Sequence, residues 1–394
     1  PCPHTCSTNA SYRTIHSLPT QAFLSIAAFV LDVIRVFRFT SVMAINTSLL
    51  ARICEAPGAP GFEKEIRKLV LEEIKDLADD ISVDNMGNVV ALKKGKSSEK
   101  KIMAAAHMDE IGFIVTHIDD KGFVRFNTLG GFDAKTLTSQ RVIIHGKKDI
   151  MGVMGSKPTH IMQPEERNKA AQIRDYFIDT GLTKKELEKY IHVGDSVTRY
   201  SPLVELGNCV NVKSLDNRVC VFLLIETLRT LKKAKSKPCY DFYAVFTVQE
   251  EVGLRGANVS ALKIQPDFGF GLDTTIAYDV PGSTPQEQCT ALGKGVGIKL
   301  MDSSVICDYR MIAFMKETAK KHKIQWQPEI LAGGGTDTAG LQRMSAGGSI
   351  AGAVSIPTRH IHQTIEMSDK DDIQAGIDLL TACVCEIDKH DWSF

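Results

Sequence analysis

Residues 244–257 read AVFTVQEEVGLRGA, an apolar, β-branched run that stops at Gln249, Glu250 and Glu251 and then passes into glycine. The first half has the character of a buried strand. Neighbouring side chains on an extended backbone point to opposite faces, so Glu250 and Glu251 cannot easily share one task unless the chain bends there. Taken alone, such a pair is most simply a solvated strand end, because acidic side chains are mostly exposed. What raises it above that reading is the company it keeps.

Three buried-looking strands end in metal-capable residues. KIMAAAHMDEIGFIV (101–115) carries an apolar run into His107 and Asp109, the 244–248 strand ends in the glutamate pair, and PDFGFGLDTT (266–275) ends at Asp273. In open α/β sheets ligands bind at the carboxyl ends of strands, so these residues should converge on one crevice. IPTRHIHQ (356–363) brings His362 to the same edge. Asp216 opens the apolar segment SLDNRVCVFLLIETLRTL (214–231), where it reads equally well as a ligand or as a helix N-cap.

The converging set is two histidines, two aspartates and one or two glutamates. Borderline metals such as zinc accept imidazole and carboxylate together. Carboxylates crowded at one edge repel and raise one another's pKa unless a cation neutralises them. Two divalent ions bridged by one carboxylate meet that need, acidify a shared water and polarise a carbonyl. One glutamate of the adjacent pair then binds metal, and its neighbour passes a proton from the water to the leaving amine.

The rest of the chain supports an α/β body. NTSLLARICEAPG and FEKEIRKLVLEEIKDL read as helices, the second with Ile66, Leu69, Val70 and Ile74 on one stripe. ISVDNMGNVVALKKG reads as two strands about an Asn-Met-Gly-Asn turn, and 214–231 is apolar nearly all round, as a buried helix would be. A helix within 306–324 and a strand at 347–356 follow, and a final helix is expected to open at a capping box, Ser368 to Asp371. Strands alternating with helices predict a mixed sheet with helices on both faces. Residues 111–203 differ, with short strands, frequent turns and one helix opening at Thr183–Glu186; they read as a β-rich insertion, and 204–212 returns the chain to the first domain. The expected organisation is a domain of 43–110 and 204–394 interrupted by 111–203.

The chain has 394 residues, and its 47 basic and 47 acidic side chains cancel. That balance leaves no field to gather nucleic acid or an anionic membrane. Ten scattered cysteines without a CxxC pair suggest reduced thiols and a cytoplasmic setting. Residues 1–42 contain AFLSIAAFVLDVI, interrupted by Asp32, too short to span a bilayer and with its arginines mainly on the wrong side for a secretory signal. They read as a leader outside the fold, with a targeting segment and an extra packed helix as the other possibilities.

AAHMDEIGF, KSLDNRV, VQEEVGLRGA, GLDTT, GGGTDTAG and IPTRHIH, in that order, closely resemble the M42 family of metallo-aminopeptidases, the tetrahedral or TET peptidases, from about Met43 to the C-terminus. The resemblance implies a fold of the dinuclear-zinc exopeptidase type with a β-rich dimerisation domain at 111–203. It implies Asp216 as the bridging ligand, His107 and Asp273 completing one metal site, Glu251 and His362 the other, with two zinc or cobalt ions per subunit. Glu250 becomes the general acid/base, and Asp109 the residue holding the His107 ring. Peptide substrates and a homo-oligomer, a dodecamer built from dimers, are implied as well. The chain departs from the family at His360, where Tyr is usual, at Gln363, where Ser is common, and at Cys220, often Gly.

The competing readings are a metal-dependent deacylase or amidase on small N-acyl substrates, a glucanase such as some relatives are labelled, and a non-catalytic assembly protein. Glycoside hydrolysis normally uses two metal-free carboxylates, which fits a histidine-containing set poorly. An assembly protein would be expected to have lost Glu250 or a ligand, and the chain keeps all of them. HExxH, P-loop and G-x-S-x-G motifs are absent from the sequence. His117, His145, His160 and His192 lie in the insertion and read as loop or packing histidines.

Overall fold

The structure, a computed structural model, describes residues 45–394. The leader expected for residues 1–42 lies outside the described residues. Chain order begins with helices α1 (Thr47–Glu55) and α2 (Lys64–Ile74), then strands β1 (Asp80–Val83), β2 (Val89–Lys93) and β3 (Ser97–His107). Six strands follow: β4 (Gly112–Ile118), β5 (Val124–Leu129), β6 (Arg141–His145), β7 (Asp149–Gly155), β8 (Phe177–Asp179) and β9 (Ser196–Arg199). The hairpin β10 (Val204–Leu206) and β11 (Cys209–Val212) leads into α3 (Leu215–Lys233) and β12 (Tyr240–Thr247). The remainder is α4 (Arg255–Ile264), β13 (Phe268–Ile276), β14 (Val296–Met301), α5 (Tyr309–His322), β15 (Trp326–Ile330), α6 (Thr338–Arg343), β16 (Ile350–Arg359), β17 (Glu366–Asp369) and α7 (Lys370–Glu386).

Eleven strands form one mixed sheet in the order β1-β2-β12-β3-β13-β16-β17-β11-β10, with β14 and β15 branching from β16. Its centre is parallel: β3 pairs in parallel with β12 and β13, and β13 with β16. A strand flanked by helices on both faces must be apolar on both, and β3 shows why its sequence has no alternation. Ile102, Ala104 and Ala106 join a core with α1, α2, α3 and α7, while Met103 and Ala105 join a second core with Ala257 and Ala261 of α4 and Leu341 of α6. Helix α3 lies deep in the first core, buried continuously from Leu215 to Ile225.

Strands β4 to β9 close into a barrel in the order β4-β5-β8-β7-β6-β9. The barrel has its own core, including Phe113, Val124, Val142, Ile144, Ile178 and Val197. Phe113 packs edge-on against Phe126 at 4.9 Å and stacks on Phe132 at 4.4 Å, geometries aromatic pairs favour. The helix expected after Thr183 is a single turn, Lys184–Leu187, whose opening is closed by Glu186 accepting from the Thr183 N–H and hydroxyl.

The final helix begins differently from the sequence expectation. Asp369, not Ser368, is the N-cap, its carboxylate accepting from the Asp371 N–H at 2.8 Å. Ser368 belongs to β17 and its hydroxyl meets that of Thr358 at 2.8 Å across the strand pair. The strand therefore continues one residue further than the S-x-x-D spacing suggested. Among the described residues, no helix is long and apolar enough to cross a membrane, and the eight cysteines form no disulfide.

Candidate metal centre

Strand register brings the first candidate ligands level. Thr247 of β12 lies opposite His107 of β3, and Gly271 of β13 opposite Ala105. Two residues further on, with side chains on the same face, β13 reaches Asp273 as β3 reaches His107. The β3–β13 pairing ends at Gly271 and Ala105, so the strands part as these side chains emerge. That is the carboxyl edge where a parallel sheet opens a crevice.

The question posed by the glutamate pair is settled by one residue. Gln249 takes a left-handed backbone conformation (φ 56°), rare for a residue with a Cβ. The chain turns at that point, and the N–H groups of Glu250 and Glu251 donate, each at 3.1 Å, to the two oxygens of Asp109. Both glutamates then reach the crevice: Glu250 Oε2 lies 3.6 Å from His107 Nε2, and Glu251 Oε2 lies 3.4 Å from His362 Nε2.

Asp216 stands between the histidines. Its Oδ1 is 3.4 Å from His107 Nε2 and its Oδ2 is 3.4 Å from His362 Nε2. Asp216 is not an N-cap: that position falls at Ser214, left-handed at φ 57°, and residues 216 and 217 are not helical (Asp216 ψ 108°) although they sit in the first turn of α3. The Asp216–Asn217 peptide is cis. Asn217 Nδ2 donates to the Leu272 carbonyl at 2.7 Å, fastening this turn to the strand that carries Asp273.

Two groups of three side chains are close enough to hold an ion: His107, Asp216 and Asp273, and Asp216, Glu251 and His362, with the donor atoms of each group within 4.8 Å of one another. His107 Nε2 lies 3.8 Å from Asp273 Oδ1. His360, two residues before His362, belongs to neither group and is exposed. Asp109 meets His107 mainly through its backbone: His107 Nδ1 is 3.0 Å from the Asp109 carbonyl and 3.5 Å from its Oδ1. A hydrogen bond at that nitrogen leaves Nε2 free to face the crevice.

The protonation pattern is that of a cluster short of positive charge. Burial pushes Glu250, Glu251 and Asp273 up from the ordinary carboxylate range. For Glu250 the charges of Asp273, Asp337 and Glu251 add to it, against His107. Burial works against a charged His107, yet the Glu250 carboxylate and the contacts to Asp109, Asp216 and Asp273 raise it well above a free imidazole. His362, opposed by burial but drawn up by Asp216 and Glu251, is raised to about 11. Glu251 Oε1 is buried without a hydrogen-bond partner, a costly state for a carboxylate oxygen and one that a bound ion relieves. The donor set fits divalent metal.

A cavity of about 590 Å³ opens onto the cluster, walled on its far side by Thr275, Ile276, Leu331 and Gly333 to Thr336. Lys299 and Asp302 also line it, and Lys299 is paired with Glu329 at 2.6 Å and with Asp302 at 3.3 Å. Neither was legible from the sequence, because β14 and β15 carry no motif that marks a cavity wall.

Glu366 was also missed. It is fully buried, and accepts from the His362 N–H through Oε1 and from the Asp216 N–H through Oε2, both at 2.9 Å. The only signal available was an acidic residue set between the apolar Ile365 and Met367. His145, read as a packing residue, bridges Asp149 (3.0 Å) and the Thr198 hydroxyl (2.8 Å) in the barrel, away from both ligand groups.

A mixed sheet whose strand ends gather histidines and carboxylates beside a cavity defines a hydrolase of the metal-dependent kind. The chain belongs to the M42 glutamyl aminopeptidase family, whose model matches residues 87–379. The peptidases of this family are metal-dependent, and the protein is a peptidase, a hydrolase of peptide bonds. It is similar to the lysyl aminopeptidase of Pyrococcus furiosus, 32% identical over 361 residues that cover 89% of this chain and 99% of that one. Among solved structures it is similar to an aminopeptidase of the archaeon Desulfurococcus kamchatkensis, with 37% identity, a TM-score of 0.82 and coverage of 86% and 94% of the two chains. It is also similar to the TET1 peptidase of Pyrococcus horikoshii, which can assemble into a tetrahedron or a large octahedral shell, with 31% identity, a TM-score of 0.77 and coverage of 86% and 99%.

Proposed function

We propose that the protein is a two-metal aminopeptidase that removes N-terminal residues from peptides. The observation that carries this reading is Asp216, whose two oxygens each face a different histidine at 3.4 Å. A carboxylate so placed suits a bridge between one ion held by His107 and Asp273 and another held by Glu251 and His362. Two divalent cations bound there, zinc or cobalt, would polarise the scissile carbonyl and lower the pKa of the attacking water.

The chain's own residues supply the rest. Glu250, 3.6 Å from His107 and in neither group, takes a proton as the water attacks the carbonyl carbon. It returns that proton to the amide nitrogen as the C–N bond breaks, so the products are a free amino acid and a peptide shortened by one residue. Burial, which raises Glu250 from the ordinary carboxylate range, makes it the better donor when the proton passes on to the amide nitrogen. Asp109 holds the Glu250 and Glu251 backbone and orients His107 through its carbonyl. The cavity beyond Asp273 receives the N-terminal side chain.

Assembly is part of the reading. The barrel presents Met151 and Val153 of β7 outward, each 48% exposed, which supports subunit contact through the insertion, dimers and a dodecamer built from them. The free thiols suit a reducing cytoplasm. The test is a panel of aminoacyl chromogenic substrates run on chelated protein after return of each metal, with bound metal counted in parallel. Two ions per subunit and release of free amino acids are expected; activity that survives chelation, or fewer than two ions, overturns the proposal. Sedimentation of the active protein as a monomer would overturn the assembly.

A further inference from the structure

We propose that Glu366 is a positioning residue of the metal centre, fixing His362 against Asp216, and that Arg199 of the barrel holds Glu366 in place. The inference rests on the two-metal reading above and adds to it a residue outside both ligand groups.

Asp216 and His362 come from separate segments, the start of α3 and the turn after β16, and neither segment is regular at the ligand. Asp216 has a non-helical backbone, and His362 is left-handed at φ 64°. The hydrogen bonds described above tie the two together through opposite tips of one side chain, Oε1 to the His362 N–H and Oε2 to the Asp216 N–H. Only a carboxylate offers an acceptor at both tips. A glutamine there would satisfy one N–H and turn its own NH₂ against the other. The side chain is fully buried, so no water would replace the lost bond. Asp109 stands in the same relation to Glu250 and Glu251, one oxygen to each N–H. Two buried carboxylates thus hold four backbone positions of the centre.

What keeps Glu366 in place comes from the other fold unit. Arg199, the last residue of β9, is 1% exposed, and its Nη2 lies 3.8 Å from Glu366 Oε1. Its Nε and Nη1 have no hydrogen-bond partner, and the guanidinium sits over the Phe132 ring at 5.8 Å. Phe132 in turn stacks on Phe113 in the barrel core. An arginine with two unsatisfied nitrogens is expensive to bury, and the ion pair with Glu366 is the charge contact that offsets it. A contiguous line of packed groups therefore runs from the barrel core to the backbone of two ligands.

The experiment uses the full-length protein, stripped with chelator and titrated with Co²⁺, following heat and the cobalt absorption bands. Wild type is expected to take two ions. Glu366→Gln should bind one ion as wild type does and the second at least about tenfold more weakly, the scale seen when a group supporting a metal ligand is removed. Its kcat should fall while KM stays near the wild-type value, and the stripped protein should still unfold in one cooperative transition, at a lower temperature than stripped wild type because Arg199 loses its counter-charge and one N–H its acceptor. Glu366→Asp, which keeps the charge but draws both oxygens back, should show the same loss, and carries the test if the glutamine variant does not fold. Arg199→Met should weaken the same ion to a lesser degree, and Arg199→Lys should restore part of it. Either Glu366 variant binding two ions with wild-type affinity overturns the proposal, as does equal weakening of both ions. An Arg199→Met protein with unchanged binding overturns the part given to the barrel. Wild-type protein that binds fewer than two ions brings down the two-metal reading and this inference together, an outcome visible before any variant is made.

Discussion

The two candidate ligand groups share Asp216 and are built by different means. His107 ends β3, and Asp273 lies on β13 two residues past its last pairing with β3; they are 1% and 6% exposed and are placed by sheet register. Glu251 and His362 lie on turns that follow left-handed residues, and the His362 side chain is 36% exposed. A parallel sheet covered on both faces is already rigid, so residues at its edge inherit their positions. A turn inherits little, and here the missing order is supplied by Asp109 and Glu366 from inside and by the barrel from outside. Gly130, at the end of β5, shows how closely: it is left-handed (φ 98°), and a Cβ there would stand 2.5 Å from Ile111 and 3.5 Å from the Glu251 side chain. The strand-borne half is fixed by the fold, and the turn-borne half by particular contacts.

The largest effects should come from breaking the turn-borne half directly. His362→Ala is expected to lose one ion per subunit and nearly all activity, because it leaves that group with two carboxylates only. Glu250→Gln should lose at least about two orders of magnitude in turnover, the scale of general acid–base catalysis, and keep both ions. Glu251→Gln should weaken one ion. Metal counts and rates on these two neighbours separate their roles, and equal metal loss in both would show that the division between them is wrong.

Much of this asymmetry could be read before the fold was known, and the reason is physical. Buried parallel strands announce themselves as unbroken apolar runs, so the mixed α/β sheet and its strand-end residues His107 and Asp273 were accessible from KIMAAAH and FGFGLD. The closure of the barrel was not, since alternation tells which face a side chain takes and not which strand lies beside it; β5 pairs with β8, far along the chain. Left-handed conformations at Gln249, His360 and His362 were equally silent, because none of these is a glycine. Asp216 read equally as a ligand and as a helix cap, because aspartate ordinarily caps a helix at that place. Glu366 had no motif around it; a carboxylate whose partners are two backbone N–H groups leaves no trace in the pattern of side chains.

A moderate effect would sharpen the comparison without any mutation. If strand-end placement makes the tighter site, a chelator titration of the two-cobalt protein should remove the ions in two steps. The first should be the ion at Glu251 and His362, on the exposed, turn-borne side, and the second the ion at His107 and Asp273. The affinities should differ by at least about tenfold, since the turn-borne ligands depend on supporting contacts of that worth. His362→Ala should abolish the first step and leave the second. Simultaneous release of both ions from wild type would mean that the bridge through Asp216, not the placement of the outer ligands, governs affinity.

The smallest expected effect is at His360, and it tests whether the turn-borne group is complete. Histidines at i and i+2, as in His360 and His362, could be read as a paired metal motif, and on an extended chain both would share a face. The backbone here is not extended: both residues are left-handed, at φ 61° and 64°. Asp216, Glu251 and His362 form the group without His360, which is exposed. A catalytic site also needs an open position for water or substrate, and a fourth protein ligand would tend to close it. His360→Tyr should therefore keep two ions per subunit and most of the activity, with any change showing as a shift in substrate preference. Metal analysis that finds one ion in the purified variant would make His360 a ligand after all. The turn after β16 would then hold its ion by two histidines rather than by one histidine fastened to Glu366.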